Sequence, residues 1–257
     1  MKFFSLLLFL VTNLTYSQTI DLNNWVESEK SIDRYKHPQN EISYIIINDS
    51  LNYRISKQTS PTIIGDSIPF SDEFIESKVG KNYGGRIVKK VFNGYFLSYL
   101  NGEHGSDFYF ISNDGKKAYE IESIRHAKYF FELEGELFVA CGLSHLALSR
   151  GSIYKLKFKR KWKATYVENL EAAPEILFRH CENTYIVTHE KMLRVNQDAS
   201  FNTVLTFPFN IGIFYPTSSV IIKNDLYIAM RSGVLKVKNF SYKPTFHWLE
   251  EKNKIYL

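Results

Sequence analysis

The residues best suited to chemistry recur in one kind of place, directly after short apolar runs. Glu103, His104 and Asp107 follow YFLSYL within NGEHGSD. Ser144 and His145 close the run that begins ELFVAC, with Arg150 a few residues further on, while His189 ends TYIVTH and Arg231 ends LYIAMR. His, Glu and Arg side chains brought to a common rim suit the reception of a polar ligand. They offer less to catalysis. Ser144 and His145 are chain neighbours, which rarely point at one another, and no strand-turn-helix elbow surrounds the serine. No two acids have a spacing that singles them out for general acid-base work. A metal site would have to enlist Cys141, His145, His180, Cys181 and His189. Cys141, His145 and His189 belong to the ends of apolar runs, His180 and Cys181 to the start of one, so neither a metal nor a cofactor is expected.

What must position these residues is a repeated unit. NDLYIAMRSGVLKVKN, starting at Asn224, reads as two short strands joined by a Ser-Gly turn, and related segments start at Asn93, Glu134 and Glu182. The turn residues Gly94, Gly135, Asn183 and Asp225 lie 41, 48 and 42 residues apart, and the first apolar residues of the following strands, Phe108, Ile153, Met192 and Val234, lie 45, 39 and 42 apart. This period predicts four-stranded units that bury their faces by stacking around an axis. The second strands are almost continuously apolar, as sandwiched strands are, and the fourth strands (KKAYEI, KWKATYV, SFNTVL, KPTFHWL) are more polar, as outer edges are. The hairpin ISYIIIN, Asp49-Ser50, LNYRISK adds a divergent first unit. The expected fold is therefore all-β, a β-propeller of four-stranded antiparallel blades, about five in number. Helical periodicity is absent after residue 17, and the polar, glycine-bearing stretch 71–85 reads as a loop or a short helical turn. Closing the ring requires a strand exchanged between the N-terminal segment and the last blade.

On these motifs the units resemble the blade repeats of bacterial exported propellers, a broad group with quinoprotein-like and two-component-regulator-type blades. The likeness spans roughly residues 86–250 and is strongest in NDLYIAMRSGVLKVKN and GELFVACGLSHLALSRGSIYKLK. It implies architecture, not chemistry. The Trp-Asp ends of WD40 blades, the double glycines of kelch blades and the Asp-box run are all missing. Because five-bladed exported propellers sometimes carry hydrolase, lyase or cyclotransferase activity, the resemblance keeps an enzyme open as an alternative, beside a structural subunit of an envelope assembly.

Residues 1–17 have the layout of a secretory signal peptide: Lys2, an apolar run over 3–11, then small and polar residues. That run is too short to span roughly 30 Å of hydrocarbon, and no later stretch is longer, so no membrane span is expected. Three regions follow: the signal peptide over 1–17, an N-terminal segment over 18–40 that crosses the body of the domain, and the propeller over 41–257. The formal charge is +5. The basic run of Lys155, Lys157, Lys159, Arg160, Lys161 and Lys163 reads as an exposed strand face and turn rather than a nucleic-acid site. The two cysteines, Cys141 and Cys181, are expected as buried free thiols, because the strand register sets them roughly 17 Å apart, too far for a bridge. The expectation for function is a monomeric, secreted or periplasmic binding module that meets a small molecule, glycan, peptide or protein partner at the funnel face. Its candidate residues are Glu103, His104, Asp107, Ser144, His145, His189 and Arg231. The aromatic linker FPFNIGIFYP lies on the same face.

Overall fold

The computed structural model describes residues 18–29, 37–50, 52–58, 64–81, 85–101, 106–145 and 148–252. Segment 1–17, Glu103 and His104 lie outside them.

Each repeat is a sheet. The second sheet holds β5 (Ile64–Gly65), β6 (Gly85–Val91), β7 (Gly94–Leu100), β8 (Phe108–Ser112) and β9 (Ala118–Glu120). The third holds β10 (Ala127–Leu133), β11 (Glu136–His145), β12 (Leu148–Phe158) and β13 (Trp162–Asn169). The fourth holds β14 (Ile176–His180), β15 (Asn183–Val187), β16 (Lys191–Val195) and β17 (Phe201–Thr206). The fifth holds β18 (Ser218–Ile222), β19 (Asp225–Met230), β20 (Gly233–Lys238) and β21 (Thr245–Glu251). The divergent hairpin is β3 (Tyr44–Asn48) with β4 (Asn52–Lys57), and the N-terminal segment adds β1 (Thr19–Asp21) beside β4 and β2 (Trp25–Glu27) beside β21. The result is an all-β, five-bladed, propeller-like fold.

The registers are equivalent from blade to blade. Ser98, Ala140, Val187 and Ala229 pair with Phe108, Ile153, Met192 and Val234, and each lies four residues after the start of its strand. The ladder makes Glu136, not Gly135, the counterpart of Gly94. Gly135 belongs to the turn before it, where Glu134 and Gly135 both take positive φ, 51° and 73°.

Alternation along the second strands shows why they read as unbroken apolar runs. Phe96 faces the third sheet while Tyr95 and Leu97 face the other way; Val139 and Cys141 face the second sheet, Phe138 and Ala140 the fourth. Ile186 faces the third sheet and Val187 the fifth, and in β19 Ile228 faces the fourth sheet while Tyr227 packs with Tyr44 and Ile46 of the first. Successive side chains of a strand point to opposite faces, so a strand between two neighbours is apolar at nearly every position; Ser98 and Thr184 are buried polar exceptions, and the Ser98 hydroxyl donates to Ala127 O at 2.9 Å. The larger of these, such as Phe96, Leu97, Val139 and Ile186, contribute about 1.5–3 kcal/mol each when fully buried.

One face departs from this pattern. On the second sheet, the side turned from the third is covered by α1 (Asp72–Val79), which packs Ile75 and Val79 on Val88, Leu97 and Ile111. The sequence offers no periodicity for it because two turns are too short to show any. Its signals are local: the Ser71 hydroxyl accepts from the Phe74 N–H, Asp72 and Glu73 fill the first turn, and Gly80 ends it at φ 84°. No described helix is long and apolar enough to cross a membrane.

β2 is fixed to the last blade by pairing with β21 and by bonds from Ser28 N to Trp248 O (2.8 Å) and from Lys252 N to Asn24 O (2.9 Å). His247 hydrogen-bonds the Glu27 carboxyl and holds it below the usual carboxylate range.

The cysteines require a correction. Both are free, and Cys141 is buried between blades, where desolvation pushes its thiol up; Cys181 is exposed. It sits in the turn between β14 and β15 at φ 52°. Iodoacetamide is expected to label Cys181 alone in the native protein and both thiols in urea; equal native labelling rates would contradict the burial of Cys141.

Candidate functional site

Four of the sequence-predicted residues, Ser144, His145, His189 and Arg231, line one cavity of about 620 Å³. They come from three blades, Ser144 and His145 at the end of a second strand and His189 and Arg231 in the connection that follows one. Ser144 and His145 end β11 opposite Ser149 and Leu148. His189 stands in the turn after β15, where buried Thr188 forms a latch: its N–H donates to Lys191 O (2.8 Å) and its Oγ1 accepts from Lys191 N (3.1 Å). Arg231 follows β19 directly. The wall is completed by the linker 207–217, which supplies Asn210, Gly212, Ile213 and Tyr215, and by the segment 37–42, which supplies His37, Pro38 and Glu41.

The linker is shaped by a 3-10 turn, Ile211–Phe214, capped by Asn210, whose Oδ1 accepts from Gly212 N (2.9 Å). Ile211 N donates to His189 O at 2.9 Å. Gly212 is required for space. A Cβ there would stand 2.8 Å from the His189 Cβ, so any side chain would displace the imidazole.

Arg231 is held on several sides. Its backbone N–H donates to Phe214 O (2.6 Å), its guanidinium lies 4.2 Å from the Tyr215 ring centroid, and its Nη1 meets Glu41 Oε2 at 2.8 Å. The cation on the aromatic face fixes the plane of the fork. Glu41 is delivered by backbone. Ser232, in the left-handed region at φ 73°, donates its N–H to Ile42 O (2.8 Å), and its hydroxyl exchanges bonds with Asn40 N (3.0 Å) and Asn40 O (2.8 Å).

No family model matches the chain, and no curated protein matches it. The site therefore has to be read from its own geometry. Two buried polar atoms on its walls, His189 Nδ1 and Arg231 Nε, have no hydrogen-bond partner in the protein, whereas buried polar groups are ordinarily satisfied. Among the described lining residues Glu41 is the one carboxylate, and it is engaged by Arg231, so paired carboxyls for acid-base chemistry are not assembled there. Among the described residues no group of three or more His, Cys, Asp or Glu side chains is placed to hold a metal ion.

Asp107, the remaining described candidate, is elsewhere. Arg125 Nη1 takes its carboxylate at 2.9 Å and also bonds Glu120 at 2.7 Å, while Tyr109 donates to Asp107 at 3.3 Å. Partial burial, and then the charges of Asp107 and Glu120, push the Tyr109 hydroxyl up to about 12. Glu41, His37 and Tyr215 were not singled out by sequence. Tyr215 had a signal in the aromatic linker, and Glu41 had none. A second cavity, about 640 Å³, opens at the opposite strand ends between Phe92, Phe158 and Trp162, and holds none of the sequence-predicted residues.

Proposed function

We propose that the chain is a binding module, secreted or periplasmic once residues 1–17 are removed, that receives a glycan, peptide or partner protein at the cavity rimmed by His145, His189 and Arg231. One observation carries this reading: the second strands of three blades, at or just beyond their ends, bring an imidazole, a second imidazole and a guanidinium to a single concavity, with two buried polar atoms of His189 and Arg231 left without a partner. A rigid ring that offers polar side chains on its loops is the arrangement in which binding sites recur. The resemblance of the repeats to exported bacterial propellers supports the extracytoplasmic placement.

The test is a thermal-shift and calorimetric screen of soluble oligosaccharides and peptides against the parent protein and His189→Ala. A ligand whose affinity falls at least about tenfold in the variant, the size of one lost buried hydrogen bond, is expected. Binding that is unchanged in His189→Ala, or that is lost only when Phe92 is replaced, would refute the assignment.

A further inference from the structure

The kind of ligand is readable from what already occupies Arg231, and this step rests on the binding reading above. Glu41 reaches the guanidinium with a side chain that is 86% exposed, while that of Arg231 is 26% exposed. The carboxylate therefore stands in solvent at the mouth and touches the cavity's fixed cation from outside. Its approach is not a chance of side-chain length. The Ser232 clip sets the backbone of residues 40–42 directly over the turn that carries Arg231, and an isolated bridge between Ser43 and Arg231 continues it.

A guanidinium fork is matched in shape to a carboxylate and presents five donors, of which one Nη1 contact is used by Glu41 and Nε is unsatisfied. An ion pair with so exposed a partner is weak and exchanges readily. An incoming carboxylate can take the same place on Nη1, and the molecule that bears it can meet other groups of the lining. The rest of the lining offers hydrogen-bonding groups, the hydroxyls of Ser144 and Ser149, the Asn210 amide and the imidazoles of His37, His145 and His189, beside the Tyr215 ring, with Pro38 and Ile213 as its aliphatic part; the Ser149 and Asn210 oxygens also accept from Ala173 N and Gly212 N. Hydroxyls and an amide match the hydroxyls of a sugar, whereas a wall this poor in aliphatic surface gives little hold to apolar peptide side chains.

We infer that the cavity recognises a sugar acid, a uronate residue of an acidic glycan, whose carboxylate displaces Glu41 from Arg231. Glu41 is thus an internal competitor that sets the affinity of the site.

The experiment is calorimetric titration of the whole protein, Glu41→Gln and Arg231→Gln with D-glucuronate and its oligosaccharides, with D-glucose as the neutral counterpart and N-acetylglutamate as a carboxylate that is not a sugar. Glucuronate is expected to bind at least about tenfold more tightly than glucose, and Arg231→Gln to lose that preference. Glu41→Gln is expected to bind glucuronate about two- to fivefold more tightly, the range an exposed ion pair allows. A gain of affinity cannot come from misfolding. Equal binding of glucuronate and glucose, no tightening in Glu41→Gln, N-acetylglutamate binding as well as glucuronate, or no binding of any probe would each overturn the inference. If another ligand from the screen is still lost in His189→Ala, the binding reading survives that failure; if none is, both fall.

Discussion

Replacing Phe96 with alanine is expected to lower the free energy of unfolding by about 3–5 kcal/mol, the range for truncating a fully buried aromatic ring. Phe96 is wholly inaccessible to solvent and forms the centre of the seam between the second and third blades. Its ring stacks on Phe108 at 5.1 Å and on Phe130 at 6.0 Å, and meets Trp162 edge-on at 5.1 Å. Phe108 lies on β8 of the same blade, two positions from Phe110, the cross-strand partner of Phe96, whereas Phe130 and Trp162 belong to the next blade, so a void at Phe96 loosens two sheets at once. Because domains are stable by only about 5–15 kcal/mol in all, the variant should survive with little reserve. A urea midpoint well below that of the parent at unchanged slope would register this, and a loss under about 1 kcal/mol would mean that the seam is not packed as described.

Gly94→Ala is expected to cost about 1–3 kcal/mol or more, through overpacking alone. An added Cβ would lie 2.2 Å from the Ile111 carbonyl oxygen and 2.6 Å from the Phe110 ring. A backbone atom cannot swing aside as a side chain does, so β7 and β8 must part locally. Hydrogen exchange should therefore quicken at the amides along this pair in step with the fall in denaturation midpoint, and an alanine that left both untouched would contradict the ladder. Gly135 supplies the contrast. Nothing lies within 4 Å of its Cβ position, and its φ of 73° is what calls for glycine there. In the sequence the two residues look alike, each beginning a strand after a turn; one is needed for space and the other for angle.

That pair illustrates what was legible. The second strands announced themselves because both of their faces are buried, which leaves a run of apolar residues repeated at a nearly constant interval. The residues after those strands were equally conspicuous, and His145, His189 and Arg231 do meet at one cavity. Short elements were silent. β1 and β2 have three residues each, and α1 buries only Ile75 and Val79, so no period could develop in them. Contacts between distant parts of the chain were silent too. Glu41 reaches Arg231 because Ser232 bonds Asn40, 192 positions earlier, and no local pattern encodes that. Asp107 sits in an equivalent connection but finds Arg125 only 18 positions on, and this nearby cation decides its partner.

The strand β2, seated beside β21 by residues more than 200 positions away, also orders events in time. The second, third and fourth blades can each form from hairpins close together in the chain, as soon as those residues exist. The first and fifth cannot be joined until residues 218–251 are available, since β3 packs on β18 and β19 and β2 pairs with β21. A nascent chain can therefore pair β1, β3 and β4 among themselves early, but it carries β2 without its partner until residues 245–251 exist, and the site on Arg231 can acquire Glu41 only once β19 has been made.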